Sequence, residues 1–144
     1  MKIQVINGPN MNMLGIREPE IYGSLTLDEI NRQLTRKGDE LGLTLDFFQS
    51  NHEGDIIDKI QDCYGNTDGI VINPGAYTHY SIAIRDAIAA VGIPTVEVHL
   101  SDINSREDFR KISVIKSVCM KQIWGKGVNS YTDALEFLAK KLGK

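Results

Sequence analysis

Apolar positions along this chain switch repeatedly between a period of two and a period near 3.6, the mark of strands alternating with helices. Ile3-Gln4-Val5-Ile6 reads as a first strand and runs into Asn7-Gly8-Pro9-Asn10, a turn-forming cluster. Residues 11–24 keep no period. They mix Gly15, Pro19 and Gly23 with Arg17, Glu18, Glu20 and Tyr22, which predicts a loop of about a dozen residues, a length associated with lids and binding loops. Thr26 with Glu29 forms a capping box, after which Leu27, Ile30, Leu34 and Leu41 hold helical spacing up to Gly42. Residues 43–49 read as a second strand. Ser50 with Glu53 offers another capping box ahead of the stripe Ile56, Ile57, Ile60 and Tyr64.

Gly69-Ile70-Val71-Ile72 is the most apolar strand of the chain, which predicts a central position covered on both faces. It ends in Asn73-Pro74-Gly75-Ala76, and a third helix is predicted over residues 78–90, closed by Gly92. On that helix His79 and Asp86 stand two turns apart on one face. The fourth strand is Pro94-Thr95-Val96-Glu97-Val98-His99-Leu100-Ser101. Asn104 or Ser105 then caps a short helix that carries Arg106, Phe109 and Arg110, with the two arginines facing the same way. Residues 114–124 contain a fifth strand, Gly125-Lys126-Gly127 breaks it, and Ser130 with Asp133 opens a final helix bearing Ala134, Leu135, Leu138 and Leu142. This alternation calls for one α/β domain over residues 1–144, a flavodoxin-like open five-stranded parallel sheet with helices on both faces.

At 144 residues the chain is long enough for one sizeable core, and 42% hydrophobic with 24% charged is an ordinary soluble balance. A net charge of −3 argues against nucleic-acid and anionic-membrane surfaces, whose footprints are basic. No stretch reaches the length of a membrane span, and the first strand ends too soon for a secretory signal, so a cytoplasmic protein is expected. Cys63 and Cys119 stand alone, without histidines at metal-ligand spacing. They read as buried thiols, and neither a zinc site nor a disulfide framework is indicated.

Candidate chemistry gathers after the first, third and fourth strands, where an open parallel sheet binds ligands. Strand alternation puts Glu97 and His99 on one side, so the carboxylate can fix the imidazole's tautomer and hold its proton, the build of a general acid. The alternative is an exposed edge strand with an incidental His and Glu. Tyr22 carries a phenol whose ordinary pKa is about 10, so near neutrality about one molecule in a thousand is the phenolate. Arg17, five residues earlier, either stabilises that anion and makes Tyr22 a base, or is a solvated charge beside a tyrosine covering apolar surface. Asn73 and the first amides of the next helix can hold a hydroxyl or carboxylate. Together these groups suit proton transfer on a small, polar, anionic substrate.

Several long motifs then carry a resemblance over nearly the whole chain. Asn7-Gly8-Pro9-Asn10-Met11-Asn12-Met13-Leu14-Gly15, Arg17-Glu18-Pro19, Ile21-Tyr22-Gly23, Gln49-Ser50-Asn51-His52-Glu53-Gly54, Ile72-Asn73-Pro74-Gly75-Ala76 and Glu97-Val98-His99-Leu100-Ser101 closely resemble the type II 3-dehydroquinate dehydratases. The resemblance implies reversible loss of water from 3-dehydroquinate to give 3-dehydroshikimate, a shikimate-pathway step, with no cofactor and no metal. It implies Tyr22 as base with Arg17 keeping it ionised, Asn10 helping to hold a water on the enolate, and His99 as acid oriented by Glu97. It assigns substrate binding to Asn73, Gly75, Ala76, His79, Leu100, Ser101 and Arg110, with Arg106 in support. Asp86 would reach a neighbouring subunit's site in a homo-dodecamer, a tetramer of trimers. Departures include Met11 and Met13 where leucine is usual, Tyr80 after His79, Asp102 after Ser101, and Asn129-Ser130 before Tyr131. The rival readings are another lyase or isomerase of polyhydroxy acids and a flavodoxin-like binding module. For the latter, Asn7-Gly8-Pro9-Asn10 supplies neither a flavin phosphate loop nor an acidic phospho-acceptor cluster.

Overall fold

Strands buried on both faces need cover on both sides, and the chain provides it. The computed structural model describes residues 1–16, 18–22 and 24–143. Strands β1 (Lys2–Asn7), β2 (Thr44–Gln49), β3 (Gly69–Asn73), β4 (Thr95–Val98) and β5 (Lys121–Ile123) form one five-stranded sheet in the order β2-β1-β3-β4-β5. Every neighbouring pair is parallel, which makes this the flavodoxin-like arrangement. β3 is central and buried throughout, as its composition predicts. β4 is also interior, so the edge-strand reading of the Glu97–His99 segment is overturned.

The helices are a single turn α1 (Pro19–Tyr22), then α2 (Leu27–Leu41), α3 (Glu53–Asp62), α4 (Ile82–Val91) and α5 (Asn129–Leu142). Strand alternation divides the core between them. Ile3, Val5, Val71, Val96 and Val98 pack with Ile30 and Leu34 of α2 and with Tyr131, Leu135 and Leu138 of α5. Ile6, Ile70 and Ile72 pack on the other face with Ile56 and Ile60 of α3 and with Ile84 and Ile88 of α4. Each of these fully buried aliphatic side chains contributes roughly 1.5–3 kcal/mol against an exposed one. Among the described residues no helix is long and apolar enough to cross a membrane.

Local signals set some helix starts and tertiary partners set others. α2 begins at a complete capping box, with the Glu29 amide donating to Thr26 Oγ1 and the Thr26 amide donating to Glu29 Oε1. The box expected at Ser50 and Glu53 does not form. Ser50 Oγ accepts from the His52 amide and donates to Asp55, while Glu53 accepts from Ser81, leaving His52 at the N-cap of α3. Ser130 likewise accepts from the Lys126 amide instead of capping α5.

The predicted loop over residues 11–24 contains a 3-10 turn, Met11–Met13, and α1. The predicted helix over residues 78–90 is in fact a 3-10 turn, Gly75–His79, followed by α4, because Ser81 accepts from the Ile84 amide and restarts the helix. His79 and Asp86 therefore share no helical face. After β4, two 3-10 turns, Ile103–Ser105 and Asp108–Arg110, replace the single short helix; Asp102 caps the first by accepting from the Asn104 amide.

The connections of β1 and β3 leave the sheet in opposite directions, so their carboxyl ends open a crevice. The two loops touch there. The Gly8 amide donates to the Asn73 carbonyl at 2.8 Å, and a Cβ on Gly8 would lie 2.4 Å from the Pro74 carbonyl oxygen. Gly75 faces it with φ of +62°, a conformation that suits glycine, and its missing Cβ leaves room for the Pro9 carbonyl. Gly8→Ala is accordingly expected to destabilise the protein by about 1–3 kcal/mol, since backbone must move to admit one methyl. Urea denaturation of the purified variant measures this.

Candidate active site

Glu97 points to the α3–α4 side of β4 and is fully buried. A carboxylate there is costly unless its oxygens are satisfied. Both are: Oε2 accepts from His99 Nε2 at 2.5 Å and from Gln122 Nε2 at 3.0 Å, and Oε1 accepts from Ser113 Oγ at 2.8 Å. Burial pulls the carboxyl upward. The His99 hydrogen bond and charge, with the bonds from Gln122 and Ser113, outweigh that pull and hold it below the usual carboxylate range. His99, itself buried, is thereby fixed by Nε2, so the ring nitrogen left for a ligand is Nδ1.

The same crevice is lined by Tyr22, Asn73, Gly75, Ala76, His79, His99, Leu100, Ser101, Arg106 and Arg110, together with Met11 and Ile103. Tyr22 comes from the end of α1, whose turn is closed by the Ile21 and Tyr22 amides donating to the Glu18 carbonyl. Arg106 reaches it from beyond β4. Its Nη1 donates to Tyr22 Oη at 3.0 Å and to Ser101 Oγ at 3.2 Å, with the guanidinium carbon 5.3 Å from the ring centre. Arg17, the cation expected beside Tyr22, lies outside the described residues. Arg110 adds a second guanidinium to the lining and is ion-paired with Glu107 at 3.2 Å. A crevice with two guanidinium groups suits an anionic ligand.

His79 donates from Nδ1 to the Ile112 carbonyl at 2.7 Å, since a carbonyl can only accept. Burial lowers its affinity for a second proton more than that bond raises it. The neutral ring therefore offers Nε2 as an acceptor for a ligand hydroxyl. Asn10 stands just outside the lining, with φ of +69°, and its amide donates to Asn51 Oδ1 at 3.0 Å. Gln49 Nε2 donates to the Gly8 carbonyl and to Asn51 Oδ1, and Tyr77 Oη donates to the Asn51 carbonyl. The Gln49-Ser50-Asn51 segment thus ties the loops after β1 and β3 together. Asp86 does not line the crevice; its carboxylate is exposed and lies beside Arg85.

The family described as Dehydroquinase class II matches residues 1–139. The chain belongs to the class II dehydroquinases. It is 57% identical to a 3-dehydroquinate dehydratase of Caldicellulosiruptor bescii, with 98% of each chain covered. Its fold superposes on the type II dehydroquinase of Butyrivibrio crossotus with a TM-score of 0.94, at 54% identity, covering 96% of this chain and 97% of that one. The corresponding values for the type II dehydroquinase of Propionibacterium acnes are 0.93 and 41%, with 96% of each chain covered.

In this class II dehydroquinase, reasoning from sequence misses Met11 and Ile103 as lining residues and Ser113 and Gln122 as the groups that hold Glu97. Gln122 had a signal, because a polar residue inside a short strand beside the Glu97 strand needs a buried partner. Since the Glu97 carboxyl sits below its ordinary 4.5, its ionised form contributes stability that is present above that pH and is lost as pH falls through the folded value. Urea denaturation at a series of pH values should therefore show the advantage of wild type over Glu97→Gln shrinking in the acid range. An advantage that stays constant there would rule out a carboxylate held by its donors.

Proposed function

We propose that this class II dehydroquinase catalyses the reversible dehydration of 3-dehydroquinate to 3-dehydroshikimate in the shikimate pathway, with Tyr22 as base and His99 as acid. The observation that carries this is the convergence, on one crevice, of a phenol bonded to a guanidinium and an imidazole bonded to a buried carboxylate. The Tyr22 phenolate takes a proton from the carbon next to the ketone. The C–H electron pair moves into the ring and the carbonyl oxygen becomes an enolate, which a water held by polar groups including Asn10 stabilises. Collapse of the enolate forms the carbon–carbon double bond and expels the hydroxyl, which leaves as water with a proton from His99. Exchange with solvent returns a proton to His99 and removes one from Tyr22.

Arg106 carries positive charge where the phenolate needs it, and Arg17 is assigned the same task. Glu97 keeps His99 oriented through the cycle. Asn73, Gly75, Ala76, His79, Leu100 and Ser101 hold the substrate's hydroxyls, and Arg110 holds its carboxylate. The same reading makes the protein a cytoplasmic homo-dodecamer, a tetramer of trimers. There the exposed Asp86 completes a neighbouring subunit's site, and the exposed Tyr80, Ile82, Phe109 and Ile112 supply apolar surface for the contact.

The dehydration product is a conjugated enone carboxylate, so turnover is followed by its ultraviolet absorbance. Tyr22→Phe is expected to lower kcat by about 10²–10⁴-fold while substrate affinity stays close to wild type. A phenylalanine variant that turned over at the wild-type rate would overturn the assignment of the base.

A further inference from the structure

Tyr131 has no part in the chemistry above, yet it is fully buried and reaches from the start of α5 to the carboxyl ends of β1 and β3. Its hydroxyl lies 2.5 Å from Asn7 Oδ1 and 3.0 Å from Asn73 Nδ2. The direction of every bond in this chain of groups is forced. The Gly75 amide, 3.1 Å from the Asn73 side chain, can only donate, so the Asn73 atom facing it is Oδ1. The other end of that carboxamide is therefore Nδ2, a donor, and the Tyr131 oxygen must accept from it. The phenol's own proton then goes to Asn7 Oδ1. Burial drives the phenol's pKa well above its ordinary value, so it keeps that proton and is no second base.

One Asn73 Nδ2 hydrogen is thus committed to Tyr131. The other has the Met11 sulfur at 3.7 Å, a weak acceptor that lines the crevice. We propose that Tyr131 is a positioning residue: by accepting one Asn73 hydrogen it aims the second into the crevice, where a substrate oxygen takes it over from the Met11 sulfur. The proposal rests on the reading of Asn73 as a substrate-binding group. It differs from that reading in giving the orientation of the amide to a helix that lines none of the crevice.

Steady-state kinetics on Tyr131→Phe, Asn73→Ala and the double variant test it. Tyr131→Phe is expected to raise KM about tenfold while kcat stays within about twofold, a split that a general loss of folded enzyme does not produce. The double variant is expected to match Asn73→Ala alone, because Tyr131 acts through Asn73. Unchanged KM in Tyr131→Phe, or losses that simply add in the double variant, would overturn the positioning role and leave Asn73 as a ligand. Unchanged KM in Asn73→Ala would remove that reading and the proposal with it.

Nitrogen-15 NMR of the wild-type protein provides a measurement that does not depend on the variants folding. With substrate and product present at saturation, one Asn73 side-chain amide proton is expected to shift and the one on Tyr131 to stay. Both shifting, or neither, contradicts the proposal.

Discussion

A negative charge with no access to water sets the terms for this structure. Glu97 stands in an interior strand, and its ionised form persists only because donors from separate segments converge on it: His99 two residues on, Gln122 from β5, and Ser113 from the segment before β5. That requirement fixes more than one side chain. Glu97 and Gln122 are register partners across β4 and β5, and a slip of one residue would put Lys121 or Ile123 opposite Glu97 and turn every side chain of β5 to the wrong face. The same carboxylate holds the imidazole that lines the crevice. Sheet register and the proposed acid are therefore outcomes of one buried ionic interaction.

The other half of the crevice depends on close approach of main chain. The loops after β1 and β3 meet at Gly8 and Gly75, and the Gln49-Ser50-Asn51 segment braces them from β2. Asn73, Gly75 and Ala76 thus stand on backbone held from several sides. Tyr22 is brought in by α1 and engages Arg106 across the opening. The proposed acid and base are carried by different elements of the molecule, and the sheet ends are what they have in common.

Much of this was legible because the informative contacts were local. Strand alternation put Glu97 beside His99, and the turn clusters after β1 and β3 marked the crevice. The capping box at Thr26 formed as written because both of its partners are within one helical turn. The expectations that failed did so where a distant group competed. Ser81 draws Glu53 away from its own helix start and caps α4, which separates His79 from Asp86. Arg106, which also engages Tyr22, is 84 residues distant in the chain, beyond the reach of any local pattern. Tyr131 packs with Ala134, Leu135 and Leu138 of α5, and only the folded chain brings its hydroxyl to two buried amides.

Asn7 and Tyr131 are 124 residues apart in the chain. Both strand ends and the proposed acid and base precede the phenol in chain order, so a nascent chain holds them before the Asn73 amide can be locked. Folding during synthesis must keep the carboxyl ends of β1 and β3 unfinished until α5 emerges to close them. The crevice becomes a site only once α5 has been made, by the docking of a helix that supplies none of its walls.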